Sequence, residues 1–236
     1  MILKNYKKIV IKIGSTTLIN PSSGKLKINW LKSICNDIGE LFNAGKKITI
    51  VSSGAIALGK KIISNHKPIV RLEDKQAAAA IGQIELAKHW QLGLRKYNIN
   101  SAQLLLTLND SEERRRYLNA RKTITSLQNK KVIPIVNEND TVATEEIRYG
   151  DNDRLAARVA QMMDADLLIM LSDIDGLYTA NPLNNELAKR INHIKNIDDA
   201  IEKMADKKFS TLGSGGMKTK IWAAKICLNS GCSTVI

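Results

Sequence analysis

The sequence is poor in the residue types that build several common kinds of site. Its three cysteines, Cys35, Cys227 and Cys232, form no C-x-x-C pair, and its three histidines lie far apart along the chain. Neither a disulfide framework nor a zinc site is therefore expected, and a reducing cytoplasm is the natural setting. Aromatic residues make up only 4% of the chain, which leaves few platforms on which nucleic-acid bases could stack.

Long apolar runs are also missing from the sequence. No stretch approaches the roughly 18 apolar residues that a membrane span needs, and the amino-terminal segment lacks the cleavage site of a signal peptide. We therefore expect no membrane partner. The 236 residues are 44% hydrophobic, which is enough to bury one good core, so one domain with at most a modest lobe is expected.

The formal net charge of +13 raises the question of a nucleic-acid partner. Most of the surplus is lysine, spread through a chain that is also rich in isoleucine and asparagine. The densest cluster, Arg114–Arg116, lies in a predicted helix, where a solvated face accounts for it. Composition bias explains the charge, and no nucleic-acid partner is expected.

Short runs of isoleucine, valine and leucine alternate with helical segments. Continuous apolar strands separated by helices predict an α/β fold: a three-layer α/β/α sandwich around a mostly parallel sheet. The segment Thr141–Gly150 alternates in polarity and predicts a β-hairpin lid that stands off the sheet. The predicted strands are Lys7–Gly14, Lys46–Gly54, Ser101–Thr107, Lys130–Asn139 and Ala165–Asp173, and another begins in the last four residues; the predicted helices are about Asn29–Asn43, Ala55–Ile63, Asp74–Tyr97, Ser111–Asn129, Asn152–Met163 and Met217–Ser230.

Polar residues stand at the carboxyl ends of the predicted strands, which is where ligands bind in an open parallel sheet. Lys12 lies inside the first apolar run, where a lysine is costly unless it meets an anion, although a lysine at an edge that reaches solvent fits about as well. Ser52 and Ser53 lead from the second strand into a helix. Their donors could face an anionic ligand, or they could simply cap the helix.

The chain around the expected hairpin carries an unusual number of carboxylate and amide side chains. A structural turn does not need so many, and the spacing of an EF-hand is absent. A polar substrate that bears both an amine and a carboxylate suits the mixture. The residues are Asn137, Glu138, Asn139, Asp140, Asp151, Asn152 and Asp153.

Three glycines precede the last predicted helix, in the stretch "GSGGMKTK" that ends at Lys220. The stretch matches the P-loop pattern in no register. Backbone N–H groups at a helix start can bind an anion, and Lys220 adds charge in the first turn, although a flexible loop also explains the glycines. Ser172 and Asp173 end the fifth strand and could border a nucleotide. Together with Lys12 these features suggest phosphoryl transfer, in which a protein mainly positions groups and offsets charge.

The motifs resemble those of the amino acid kinase family, and in particular of its glutamate-phosphorylating members. The resemblance runs through nearly the whole chain, and the asparagine–aspartate segment after the fourth strand is its most specific part. The motifs are "KIGS", "VSSGAIALG", "QAAAAIGQ", "VIPIVNENDTVATEEI", "GDNDRLAA", "LSDIDGLYTANP" and "GSGGMKTK".

The resemblance implies a transferase: an ATP-dependent kinase that phosphorylates the side-chain carboxylate of L-glutamate to L-glutamyl 5-phosphate, the first step of proline biosynthesis. It implies that Lys12 and Lys220 flank the transferring phosphoryl group and that Asp153 holds both lysines. It also implies that glutamate binds to Ser52, Asp140 and Asn152, with Asp140 as a partner for its ammonium group. The implied nucleotide-binding residues are Lys12, Ser172, Asp173, Ser214, Gly215, Gly216, Met217, Lys218, Thr219 and Lys220.

The same resemblance sets the expected cofactors and partners. Mg²⁺ would bridge the phosphates of ATP, because the sequence shows no dedicated metal cage. The glutamate carboxylate is already ionised at pH 7, so no general base is required. Feedback inhibition by proline and assembly into a homo-oligomer are traits of the family.

The resemblance also places the sequence within the family's domain organisation. Residues 1–236 correspond to the kinase domain, and members usually continue with residues that finish the sheet and often with an RNA-modification-like domain. Two alternatives stay open. One is the same fold acting on another carboxylate, carbamate or phosphate substrate, and the other is a non-catalytic RNA-binding or regulatory protein of this fold.

Overall fold

The computed structural model describes residues 2–64, 69, 71–143, 151–180, 182, 185–206 and 216–236. The strands in these residues form one sheet of six, in the order β3-β4-β2-β1-β5-β6, and every neighbouring pair is parallel. They are β1 (Lys8–Ile13), β2 (Lys47–Ser52), β3 (Asn100–Leu106), β4 (Val132–Glu138), β5 (Leu167–Leu171) and β6 (Ser233–Val235). The predicted parallel sheet is confirmed.

Helices connect the strands in the described part of the chain. They are α1 (Ser15–Leu18), α2 (Ile28–Asn43), α3 (Ala55–Ser64), α4 (Leu72–Arg95), α5 (Leu108–Glu112), α6 (Arg114–Asn129), α7 (Asp151–Met162), α8 (Asp199–Asp206) and α9 (Met217–Asn229). None of these helices combines the length and the apolar character needed to cross a membrane.

The alternating side chains of the strands build two separate cores, one on each face of the sheet. In β1, Ile9, Ile11 and Ile13 face a core shared with α2 and α4. Val10 faces the opposite core, which α7 and α9 close. Since both faces carry helices, the architecture is the predicted three-layer sandwich.

The structure corrects the sequence prediction in the helical layer. The predicted helix Ser111–Asn129 is two helices, because Glu113 has extended backbone (φ −76°, ψ 117°) and separates α5 from α6. Thr107 caps α5 earlier than expected, in a capping box with Asp110. Helices α1 and α8 were not predicted.

Two predicted features fall partly beyond the described residues. Of the expected hairpin, residues 141–143 form a turn and a coil position, and 144–150 lie outside the described part. The glycine stretch before α9 is described only from Gly216 onward. The hairpin lid therefore stays a prediction.

Two glycines bring α3 and α4 into close contact. A Cβ atom on Gly82 of α4 would lie 1.8 Å from the backbone oxygen of Ala55, and one on Gly59 of α3 would lie 1.9 Å from that of Ala78. No other residue allows this approach. The contact fixes the start of α3, directly after the polar end of β2.

Candidate active site

The carboxyl ends of β2, β1 and β5 meet at the centre of the sheet. The backbone N–H of Ser53 donates to Ile13 O at 3.1 Å, and that of Gly14 donates to Leu171 O at 3.4 Å. Lys12, one residue before the end of β1, points to the same face as Val10 and is only 6% exposed. The sheet therefore holds an ammonium group in its interior, close to the edge where ligands bind.

Asp153 joins two lysines that are distant in sequence. Its Oδ1 lies 2.6 Å from Lys12 Nζ, and its Oδ2 lies 3.2 Å from Lys220 Nζ. The carboxylate is fully buried, in the first turn of α7, and Lys220 is 5% exposed, in the first turn of α9. The structure thus brings together the three residues that the resemblance assigned to catalysis.

Burial and the neighbouring charges shift the pKa values of this cluster. Burial lowers the pKa of Lys12 below its ordinary value, Asp153 opposes that shift, and the charge of Lys220 adds to it. Burial alone would raise the pKa of Asp153, but the charges of Lys12 and Lys220 outweigh burial and hold this pKa below its ordinary value. One buried carboxylate, whose pKa is lowered, thus lies between two lysine side chains, an arrangement that suits an anionic ligand.

Thr219 ties the cluster to the start of α9. Its hydroxyl oxygen lies 2.7 Å from Asp153 Oδ2 and 2.8 Å from Gly216 O. The resemblance implies that Thr219 binds the nucleotide, whereas its side chain contacts the carboxylate that holds the lysines. Among the described residues, a Cβ atom on Gly216 would meet nothing within 4 Å.

A second group, of amides and one hydroxyl, lies beside the charged cluster. Asn152 Nδ2 donates to Ser53 Oγ at 2.9 Å and to Asn137 Oδ1 at 3.2 Å. Asn137, at the end of β4, is 2% exposed and donates from Nδ2 to Gln83 Oε1 of α4 at 2.6 Å. Because Asn152 and Asp153 are consecutive, the amide group and the charged cluster share the first turn of α7.

The structure does not place Ser52 in this group. Its side chain is fully buried and its Oγ accepts a hydrogen bond from Trp90 Nε1 at 2.9 Å. Ser53, the next residue, is the one whose hydroxyl contacts Asn152. The buried side chain of Ser52 could have been predicted from the alternation of β2. Positions 48, 50 and 52 share a face, and Ile48 and Ile50 are core residues.

The other predicted residues lie near the same edge. Asp140 is 9% exposed, in the turn after β4. Ser172 and Asp173 follow β5, where Ser172 Oγ donates to Asp173 Oδ1 at 3.1 Å, and the charge of Asp173 acts on Lys12. Met217 packs in a small core with Leu177, so only its backbone could reach a ligand.

The remaining predicted nucleotide-binding residues belong to the glycine stretch and the first turn of α9. Ser214 and Gly215 lie outside the described residues, and Lys218 is exposed on the first turn of α9. Among the described residues, no group of three histidine, cysteine, aspartate or glutamate side chains could hold a metal ion.

Comparison with known proteins identifies the family of this site. Residues 7–236 match the sequence profile described as the amino acid kinase family. The chain belongs to the amino acid kinase family. The lysine–aspartate–lysine cluster therefore lies within an amino acid kinase domain.

Several curated relatives of the chain are named glutamate 5-kinase. The chain is 56% identical to the glutamate 5-kinase of Bartonella henselae and 51% identical to that of Rhodopseudomonas palustris, in each case over 99% of the chain and 62% of the relative. It is 55% identical to the glutamate 5-kinase of Allorhizobium ampelinum, over 99% of the chain and 59% of the relative. The chain therefore spans about three fifths of the length of these curated relatives.

Solved structures of other kinases share the fold of this amino acid kinase chain. A carbamate kinase from Giardia lamblia bound to AMP-PNP matches with a TM-score of 0.67 at 16% identity, covering 98% of this chain and 91% of the other. A UMP kinase from Bacillus anthracis matches with a TM-score of 0.61 at 14% identity, covering 93% and 83%. At such identities the likeness establishes the fold alone.

Proposed function

We propose that the chain is the catalytic part of a glutamate 5-kinase, which transfers the γ-phosphoryl group of ATP to the side-chain carboxylate of L-glutamate. The products are L-glutamyl 5-phosphate and ADP, and the reaction is the first step of proline biosynthesis. The observation that carries the proposal is the buried Lys12–Asp153–Lys220 cluster beside the amide group of Asn152. The names of relatives at 51–56% identity supply the substrate.

The charged cluster suits phosphoryl transfer between two anions. ATP and a carboxylate repel each other, and the moving phosphoryl group carries charge on its equatorial oxygens. Lys12 and Lys220 approach it from two elements, β1 and α9, and offset this charge, while Asp153 fixes the position of both ammonium groups. The reaction removes no proton from the carboxylate, which agrees with the absence of histidine from the described cluster.

The substrate carboxylates and ammonium group suit the polar residues at the same edge. Asp140 follows the end of β4 and Asn152 lies in the first turn of α7, and both supply hydrogen-bond partners. Ser53 replaces Ser52 in the proposed set, because its hydroxyl faces Asn152. Ser172, Asp173 and the backbone at the start of α9 border the proposed nucleotide site.

Mg²⁺ fits this proposal as an ion held mainly by the phosphates of ATP. Both oxygens of Asp153 already face lysines, and Asp173, whose charge acts on Lys12, is one carboxylate that could contribute to the ion's shell. An ion with so few protein ligands keeps several waters and binds through the substrate phosphates. When bound, it would neutralise phosphate charge.

The test is a side-by-side assay of ATP consumption with L-glutamate, L-aspartate, N-acetylglutamate and UMP. L-glutamate is expected to give turnover far above the others, and hydroxylamine is expected to trap the product as a hydroxamate, because an acyl phosphate reacts with it. Turnover with another acceptor but not with L-glutamate would reject the proposed substrate. A chain that binds RNA in a salt-dependent way and turns over none of the four acceptors would support the non-catalytic alternative.

A further inference from the structure

A chain of amide hydrogen bonds connects α4 to the substrate end of the site. Gln83 lies on α4 and accepts from Asn137 Nδ2 at 2.6 Å. Asn137 Oδ1 in turn accepts from Asn152 Nδ2 at 3.2 Å. Gln76, two turns earlier on α4, donates to Ala143 O at 3.1 Å, so one face of this helix contacts both the end of β4 and the segment that follows it.

The direction of each bond in this chain depends on the one before it. An amide has a carbonyl oxygen that only accepts and a nitrogen that only donates. Because Gln83 presents its oxygen, Asn137 must present its nitrogen to Gln83 and its oxygen to Asn152. Asn152 then presents its nitrogen, and both hydrogens are used, one by Asn137 and one by Ser53. If the amide of residue 83 were turned around, the donors and acceptors of these hydrogen bonds would exchange places.

With the hydrogen bonds in this direction, one acceptor among the three amides has no partner among the described residues. Asn152 Oδ1 is buried and has no hydrogen-bond partner among the described residues. A buried acceptor without a partner costs on the order of 1–3 kcal/mol, which a ligand donor would recover. At neutral pH the two carboxylates of L-glutamate are ionised and accept only, so its ammonium group is the one donor that this substrate offers.

We propose that Gln83 is a positioning residue that sets the direction of the amide chain, so that Asn152 presents its carbonyl oxygen to the ammonium group of the substrate. The inference rests on the proposed function, because the donor belongs to L-glutamate. It assigns to the second glutamine of the "QAAAAIGQ" segment a part in recognising an amino group. Gln83 reaches this role through Asn137 and does not itself touch the reacting atoms.

Two substitutions at residue 83 separate direction from packing. Gln83→Glu keeps an acceptor for Asn137 Nδ2, and it is expected to leave the KM for L-glutamate within about threefold of the unsubstituted chain. Gln83→Met has similar length and no hydrogen bond, and it is expected to raise this KM about tenfold, the effect of one hydrogen bond. The kcat should change less than about twofold in both variants, because the Lys12–Asp153–Lys220 cluster is untouched. Gln91→Met, at an exposed position of the same helix, is the matched control.

Glutarate provides the readout that a purely structural role would not give. It has both carboxylates of glutamate and lacks the ammonium group, so its inhibition constant should be the same in the unsubstituted chain and in Gln83→Met. The inference is overturned if that constant rises in step with the KM, if Gln83→Met leaves the KM unchanged, or if Gln83→Glu raises it as much as Gln83→Met. If the unsubstituted chain does not phosphorylate L-glutamate at all, the proposed function fails and the inference fails with it.

Discussion

Lys12 is the residue whose position is hardest to explain by folding alone. Its ammonium is buried in a sheet interior, and a lysine at an apolar position would normally be replaced by an isoleucine or a valine. Asp153 compensates part of the cost, but Lys220 shares the same carboxylate. Two lysines that share one carboxylate can stabilise a bound anion, and the proposed catalysis by charge compensation requires this property.

The first prediction concerns the two lysines. Lys12→Ala and Lys220→Ala are each expected to lower kcat by on the order of 10²-fold or more, because each removes charge stabilisation from the transition state. Steady-state kinetics with L-glutamate and ATP measures the effect. Lys225→Ala is the matched control, since Lys225 lies on α9 but is exposed and paired with Glu202. Near-normal turnover of Lys220→Ala would remove α9 from the proposed catalytic site.

The second prediction separates two neighbouring serines. Ser53→Ala is expected to raise the KM for L-glutamate about five- to tenfold, because Asn152 loses one hydrogen-bond partner. Ser52→Ala is expected to leave that KM in place and to lower the free energy of unfolding by about 1–3 kcal/mol, because buried Trp90 Nε1 loses its acceptor. Kinetics and denaturant titration of both variants make the comparison. The opposite pattern would restore Ser52 to the substrate site.

At the scale of elements, the first turn of α7 joins the two halves of the site. Asn152 belongs to the amide group and Asp153 to the charged cluster, so in the proposed reaction adjacent residues of one turn would position the substrate and the phosphoryl group. Helix α4 supports that turn from the other side through Gln83 and Asn137. The close contact of α3 with α4 is therefore part of the support of the site.

The third prediction tests that helix contact. Gly82→Ala places a Cβ atom 1.8 Å from the backbone oxygen of Ala55, and the variant is expected to lose about 1–3 kcal/mol of stability through overpacking. Gly93→Ala on the same helix is the control, with equal gain in helix propensity. There the Cβ atom meets the Cys35 thiol, a side chain that can rotate, so a smaller loss is expected. Equal unfolding midpoints for the two variants would contradict the packing argument.

The sequence predicts the limits of five strands and five helices to within two residues, but it misses the break at Glu113 and the helices α1 and α8. Most of the strands are apolar runs that end next to a small or polar residue, and the predicted limits of β1 to β5 differ from the observed ones by one or two residues. The break at Glu113 is not visible in the same way, because its neighbours all favour a helix. Lys12 and Lys220 could be found from local anomalies, whereas Gln83 could not, because its role depends on a contact with Asn137 across 54 positions.

At the scale of the whole molecule, hydrogen bonds and neighbouring charges lower the pKa values of several carboxyl groups. Asp166, just before β5, accepts from the backbone N–H groups of Lys7 and Lys8, both at 2.7 Å, and these bonds hold its pKa below the ordinary value. The hydrogen bonds of Thr107 and the charge of Arg116 outweigh burial and likewise lower the pKa of Asp110. Asp153 behaves in the same way, through its two lysines.

The fourth prediction follows from the sign of these shifts. A carboxyl group with a lowered folded pKa adds stability above its unfolded pKa of about 3.9, and this stability is lost as the pH falls through the folded value. The thermal midpoint is expected to be nearly flat from about pH 7 to 5 and to fall below about pH 4. Asp166→Asn should be less stable at neutral pH, and its curve should meet that of the unsubstituted chain at strongly acid pH.

Calorimetry over this pH range checks the fourth prediction. Asp37→Asn, at an exposed position on α2, is the control and is expected to leave the curve in place. A constant difference between Asp166→Asn and the unsubstituted chain at every pH would show that the charge of Asp166 does not cause the effect.

The bridge from Lys12 through Asp153 to Lys220 also has a consequence for biosynthesis. Its members belong to the first strand, the seventh helix and the ninth helix of the described chain, and Lys12 and Lys220 stand near opposite ends of the 236 residues. A nascent polypeptide emerges from the ribosome amino-terminus first, at about 5–20 residues per second. Lys12 thus leaves the exit tunnel long before its counter-ion Asp153, and Lys220 of α9 follows later still. The proposed kinase activity is expected to appear only once α9 has been translated and has left the ribosome.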